Sequence, residues 1–206
     1  MTAPLQPFNP PVGILSNFCQ PHPVTLKMKE KGMFSGSITG DDFSITDVNG
    51  REVCKCKGKV MSISARKIFT DPSGRELFHL KNKLLALAKS FIGESPDGKQ
   101  LFEVKGKFSR LAIDKLLAVL SSKSTISFIN ASTNQSMTLD LKGDWLDRSA
   151  EVTLQGRPVA TISRSFLNFG QLVSDKQTYY VNCAPGVDLV LMAAICVCLD
   201  ERENDK

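Results

Sequence analysis

The sequence predicts a mainly β protein, a closed antiparallel β-barrel of ten or more strands enclosing a hydrophobic C-terminal helix, and three observations lead there. Leu189 to Leu199 reads Leu-Val-Leu-Met-Ala-Ala-Ile-Cys-Val-Cys-Leu, with no polar face. Turn-forming tetrads recur at Asp47-Val-Asn-Gly50, Asp71-Pro-Ser-Gly74 and Ser95-Pro-Asp-Gly98, and no Pro-, Gly- or Ser-rich linker divides Val24 from Asp200. As a helix the apolar run reaches only about 17 Å, short of the roughly 30 Å hydrocarbon core of a bilayer. A helix apolar all round is therefore expected to be surrounded by protein. Sheets of ten or more strands close or split, and closure removes the exposed edges that invite aggregation.

Taken in order, the chain opens on a leader, residues 1–23, that holds six of the ten prolines. Proline removes a backbone donor and fixes φ, so this arm is read as extended and partly mobile. Pro4 to Pro7 and Pro7 to Pro10 have the spacing of ligands for aromatic-lined grooves, but no basic residue flanks them. From Val24 onward short strands alternate with turns, because Asp and Asn bond local backbone and Gly accepts positive φ. The strands predicted are Arg51 to Lys57, Lys59 to Ser64, Arg75 to Lys81, Leu84 to Ala88 and Gln100 to Gly106. In the second half they are Thr125 to Asn130, Ser136 to Lys142, Ala150 to Gln155, Pro158 to Arg164 and Gln177 to Cys183, with turns near Asn134, Gly143, Gly156 and Asp175. Phe108 to Leu120 fits either a helix or two strands turning at Asp114-Lys115, and the surrounding pattern favours strands. Residues 24–201 thus form one barrel domain, and 202–206 a charged tail.

Composition bounds the function classes. A chain of 206 residues, 42% hydrophobic, supports one sizeable core. The formal charge of +5 is compatible with an anionic partner. No basic residue precedes Lys27 and no long apolar stretch accompanies it, so nothing resembles a secretory or transit signal and an intracellular, cytoplasmic location is expected, with room for peripheral membrane association. The six cysteines lack the paired framework of a small secreted domain, and reduced, mostly buried thiols are expected.

Catalytic chemistry has little support. A hydrolase or transferase needs a nucleophile with its base, or paired carboxylates, and only His22 and His79 supply imidazoles. His22 lies in the proline-rich arm, and His79 in Leu77-Phe-His-Leu80 alternates with apolar neighbours to face solvent. Cys19 and His22 have metal-like spacing, yet no Cys-x-x-Cys pair joins them for a zinc site. Glycine-rich phosphate loops are absent, and Gly36 and Gly40 read as a hairpin. No catalytic residue, metal or cofactor is assigned, and the chain is read as a non-enzyme.

One constellation remains: Lys55, Lys57, Lys59, Arg66 and Lys67. On a strand, Lys55, Lys57 and Lys59 share the face opposite Cys54, Cys56 and Val60, which sets three ammonium groups side by side. A solvated barrel exterior and a site for anionic lipid headgroups both account for this. Nucleic acid fits less well, since no aromatic residue interleaves the cluster to stack bases.

The ordered set Gly40-Asp-Asp-Phe-Ser-Ile-Thr-Asp-Val-Asn-Gly50, Cys56-Lys-Gly-Lys-Val-Met-Ser-Ile-Ser-Ala-Arg-Lys67, Asp71-Pro-Ser-Gly-Arg-Glu-Leu-Phe78 and Ala184-Pro-Gly-Val-Asp188 resembles the LURP-one-related family. The resemblance spans nearly everything from Val24 to Glu201 but does not extend to the leader or to Phe108 to Leu120. It implies the tubby C-terminal fold, a barrel of about a dozen strands around a central helix, shared with phospholipid scramblases. Some plant members are associated with defence against pathogens, and tubby relatives bind phosphoinositides. A shared fold does not transfer an activity. The leading expectation is a non-catalytic module that meets anionic phospholipid or phosphoinositide headgroups through Lys55, Lys57, Lys59, Arg66 and Lys67. The alternatives are a protein-interaction scaffold using the Pro-rich leader and, more weakly, scramblase-like lipid movement.

Overall fold

The computed structural model describes residues 5–31, 42–58, 66–83, 90–106, 121–144, 149–164 and 178–204. Twelve strands follow in order: β1 Val24–Lys31, β2 Asp42–Asp47, β3 Glu52–Gly58, β4 Lys67–Thr70, β5 Glu76–Asn82, β6 Ser90–Glu94, β7 Gln100–Gly106, β8 Ser121–Ile129, β9 Ser136–Asp144, β10 Ser149–Leu154, β11 Arg157–Ser163 and β12 Thr178–Cys183. Each pairs with its sequence neighbour, and β1 pairs antiparallel with β12 to close the barrel. Helix α1, Leu189–Asn204, follows directly.

Alternation decides what points inward. Leu26 and Met28 of β1, Phe43 and Ile45 of β2, Cys54 and Cys56 of β3, and Phe69 of β4 are all buried, while the residues between them are at least partly exposed. Phe78 stacks on Phe69 with centroids 4.7 Å apart and meets Phe102 edge-on at 5.4 Å. Gly93 makes room for this cluster, since a Cβ there would lie 2.0 Å from the Phe102 ring. Along α1 every residue from Leu189 to Asp200 is buried, so the helix is enclosed on all sides. Cys196 and Cys198, on opposite sides of it, both pack into core.

The connections of one barrel end, here called the floor, are tight. Asp47 Oδ1 accepts from Asn49 N and Arg51 N, each at 2.9 Å, and Asp71 Oδ1 accepts from Arg75 N at 3.0 Å. Gly50 and Gly74 close these turns at φ of +83° and +90°, values that carry no side-chain penalty for glycine. The predicted strands Lys59 to Ser64 and Leu84 to Ala88 lie outside the described residues. The described strands next to them are β4 and β6, which run straight into the tetrads at Asp71 and Ser95, where Asp71 N donates to Arg75 O and Ser95 N to Lys99 O across three-residue loops that end on a left-handed glycine. Gly143 itself sits within β9, paired with Ser122 on one side and Ala150 on the other, and the connection after Asp144 lies outside the described residues. Phe108 to Leu120 and the turn near Asp175 lie outside the described residues.

The arm is extended but not loose. From Leu5 to Cys19 it runs across the floor and buries Phe8, Val12 and Ile14 in the same core as α1. Phe8 N donates to Pro185 O at 2.9 Å, Val12 N to Gly186 O at 2.8 Å, and Asp188 N to Val12 O at 3.0 Å. Asn130 holds the arm from β8, its Oδ1 accepting from Gly13 N and its Nδ2 donating to Pro11 O, both at 3.0 Å. Proline limits regular structure and not docking, since carbonyls and apolar rings remain free to pack.

Candidate functional site

Three places carry chemistry: the outer face of β1 to β3, the barrel end where α1 finishes, and the floor where it begins. On the outer face Lys55 and Lys57 project away from Cys54 and Cys56. Lys55 Nζ lies 3.0 Å from Glu52 Oε1, both side chains about a third or more exposed. Two lysines not singled out from the sequence join them. Lys27 and Lys29 of β1 are exposed on the same face, with β2 between the two strands. Lys29 stands opposite Ser44, which stands opposite Lys55; Lys27 stands opposite Thr46. The signal was present in the alternation Leu26-Lys27-Met28-Lys29, but convergence with β3 depends on the register across β2.

Lys67 departs from the expected cluster. It shares a face of β4 with Phe69, so it points into the barrel, with a side chain only 5% exposed. Its Nζ lies 2.8 Å from Glu201 Oε1 and 5.7 Å from the centroid of the Phe43 ring. Closeness in sequence grouped it with Lys57, whereas the two-residue period of β4 sends it to the other side of the sheet. Arg66, at the margin of β4, is partly buried, and its Nε is buried without a hydrogen-bond partner. Lys59 lies outside the described residues.

The end of α1 is held by a polar cluster around Lys67. Tyr179 Oη donates to Asp200 Oδ1 at 2.6 Å, Arg164 Nη2 lies 3.5 Å from the same oxygen, and the guanidinium sits over the Tyr179 ring at 4.4 Å. Burial pushes the Asp200 carboxyl up, and the Tyr179 hydrogen bond and Arg164 charge pull it back. Two carboxylates at a helix C-terminus oppose its dipole, and Lys67 and Arg164 offset them. This is an assembly that seats the helix.

At the floor, Asp188 does two jobs. Its Oδ1 accepts from Val190 N at 2.9 Å and Leu191 N at 3.1 Å, capping α1. Its Oδ2 accepts from Ile14 N at 3.0 Å and Leu15 N at 2.8 Å, anchoring the arm. The side chain is fully buried, and burial raises its pKa to about 6 against the pull of those four backbone hydrogen bonds. Gly13 must be glycine here, because a Cβ would lie 2.1 Å from Asp188 Cβ.

The other sequence candidates lie apart. His79 is on the outer face of β5, its Nε2 3.0 Å from Glu76 Oε2, and His22 is exposed. Burial pushes the thiols up, Cys54 well above its ordinary value and Cys19 to about 12, with the charge of Asp188 adding to each. Such thiols are poor nucleophiles and poor metal ligands. Among the described residues, no group of three or more His, Cys, Asp or Glu could hold a metal ion, and no helix is long and apolar enough to cross a membrane.

Comparison with known proteins agrees with this architecture. Protein LURP-one-related 10 of Arabidopsis thaliana is 25% identical over 191 residues, covering 92% of this chain and 95% of that protein. An X-ray structure of an Arabidopsis thaliana protein shares the fold with a TM-score of 0.61 at 22% identity, covering 92% of this chain and 97% of that one. The LURP-one-related family model matches residues 24–200, a stretch that takes in the barrel, the Asp188 cap and the enclosed helix. The chain belongs to the LURP-one-related family.

Proposed function

We propose that this protein is a non-enzymatic binding module whose β1 to β3 outer face meets the headgroups of anionic phospholipids, phosphoinositides included. The observation that carries the reading is the gathering of Lys27, Lys29, Lys55 and Lys57 on one exposed face. Near an anionic membrane each such charge contributes about 1 kcal/mol, so four support a modest, salt-sensitive affinity. Lys55 is available to a headgroup despite Glu52, because an exposed ion pair is worth no more than about 1 kcal/mol. Lys67 is left out, since taking it would break its pair with Glu201 inside the barrel. Scramblase-like movement is disfavoured: α1 would have to leave an enclosure that buries every residue from Leu189 to Asp200.

Sedimentation with phosphatidylcholine vesicles, with and without phosphatidylserine or phosphoinositide, tests the reading. Binding is expected only to the anionic vesicles, weakening as salt rises and falling steeply in a Lys27→Glu, Lys29→Glu, Lys55→Glu, Lys57→Glu variant with an unchanged Tm. Binding indifferent to anionic lipid, or to the four substitutions, overturns it.

A further inference from the structure

We infer that Lys29, Ser44 and Lys55 form a seat for a phosphomonoester, which makes this face selective among anionic ligands; the inference deepens the headgroup reading and rests on the same face. The three residues lie on one line across β1, β2 and β3, Lys29 opposite Ser44 and Ser44 opposite Lys55. Their side chains point outward, since Met28, Ile45, Cys54 and Cys56 on the alternate positions are buried. Neighbouring strands lie about 4.8 Å apart, so the two lysine Cα atoms are roughly 10 Å apart with Ser44 midway. Both flexible stems can lean over the serine, and an anion above it meets two ammonium groups and a hydroxyl donor.

The neighbouring rows differ in the residue that matters. One pair along β2, Asp42 stands opposite Lys31 and accepts from Gly58 N at 2.9 Å, so that row has its own carboxylate. On the other side Thr46 has Lys27 as one partner and Glu52 as the other, an acid again. The Ser44 row has lysine at both flanks and a hydroxyl between them, whereas each neighbouring row includes an acid, Asp42 on β2 in one and Glu52 on β3 in the other. Glu52 reaches Lys55 only from along β3, through an exposed pair. A phosphomonoester brings a charge of about −1.5 to −2 and three oxygens, enough for all three side chains. A phosphodiester, with one charge and two free oxygens, leaves one of them unmatched.

The test compares vesicles of equal surface charge, one set made anionic with phosphatidylserine and the other with a phosphatidylinositol phosphate, alongside titration with soluble inositol trisphosphate. The wild type is expected to prefer the phosphatidylinositol phosphate vesicles by about tenfold, the scale of one hydrogen bond to a charged group. Ser44→Ala should lose most of that preference. Ser44→Asp, which gives the row its own carboxylate, should abolish it, and both should keep the wild-type Tm. Equal binding to both vesicle types, or a preference that survives Ser44→Asp, overturns the seat while leaving the headgroup reading in place. Binding of the soluble trisphosphate, lost in Ser44→Asp, without binding to either vesicle upholds the seat and overturns the lipid as its source.

Discussion

Replacing Asp188 with alanine should loosen the arm and the helix together, and by an amount that depends on pH. The substitution strands four N–H groups. Those of Ile14, Val190 and Leu191 are buried, and Leu15 is near enough to the surface for water to reach. A buried donor without a partner costs about 1–3 kcal/mol, so three cost on the order of 6. Against this stands what the wild type spends to keep a buried carboxylate charged at neutral pH. A pKa raised from 3.8 to about 6 corresponds to roughly 3 kcal/mol. The net loss at pH 7 is therefore about 3 kcal/mol, a large part of the roughly 5–15 kcal/mol that holds a domain folded. The sign with pH follows from the direction of the shift. The folded state binds the proton more tightly than the unfolded chain, so the roughly 3 kcal/mol that protonation of Asp188 adds to stability is fully present below pH 3.8 and is lost as pH rises through about 6. The gap between wild type and Asp188→Ala should thus widen on acidification, by about 2 kcal/mol at pH 4.5. Urea unfolding followed by circular dichroism at both pH values measures it. Chymotryptic cleavage after Phe8 and Phe18 reports release of the arm, where trypsin has no site before Lys27. A gap that stays flat or narrows toward acid would refute the assignment of Asp188 as the buried anchor.

Other substitutions separate the interior from the surface. Ala194→Asp sets an unpaired carboxylate in a position with no exposure, at a cost of several kcal/mol, and should abolish soluble folded protein; soluble expression with an unchanged Tm would contradict enclosure of α1. Lys67→Glu should lower Tm markedly because it faces Glu201 in the core, whereas Lys57→Glu should leave Tm nearly unmoved; equal effects would mean the two lysines do not lie on opposite faces of the sheet. Gly13→Ala, whose new methyl group would sit on Asp188, should destabilise by about 1–3 kcal/mol in thermal unfolding, and a neutral result would place the arm further from the helix cap.

How much of this is legible from residues alone depends on the range of the interaction. The tetrads at Asp47, Asp71 and Ser95 name their own turns, because an aspartate or serine side chain and a glycine three residues on settle the local backbone without help. The apolar run likewise names its environment, since eleven residues without a polar side can be stable only inside something. The Lys55 and Lys57 face follows from the period of one strand. The predicted strands Lys59 to Ser64 and Leu84 to Ala88 lie outside the described residues, and β4 and β6, short strands that carry no turn signal on their leading side, were not singled out. That the arm docks was not legible from its prolines, because docking is set by carbonyls and buried rings that proline leaves intact.

The hairpin turns at Asp47, Asp71 and Ser95, the helix that must be wrapped and one basic strand face were thus settled by the sequence itself, through neighbours a few residues apart. Tertiary structure alone decided that Lys67 turns inward to Glu201, that Lys27 and Lys29 join Lys55 and Lys57, and that Asp188 ties the arm to the helix across sequence separations of 173 and 174 residues. Each of these depends on register across paired strands or on contacts between segments distant in the chain. A shift of one residue in a strand would send every side chain to the other face, and only the closed barrel, with its core already packed, fixes which face that is.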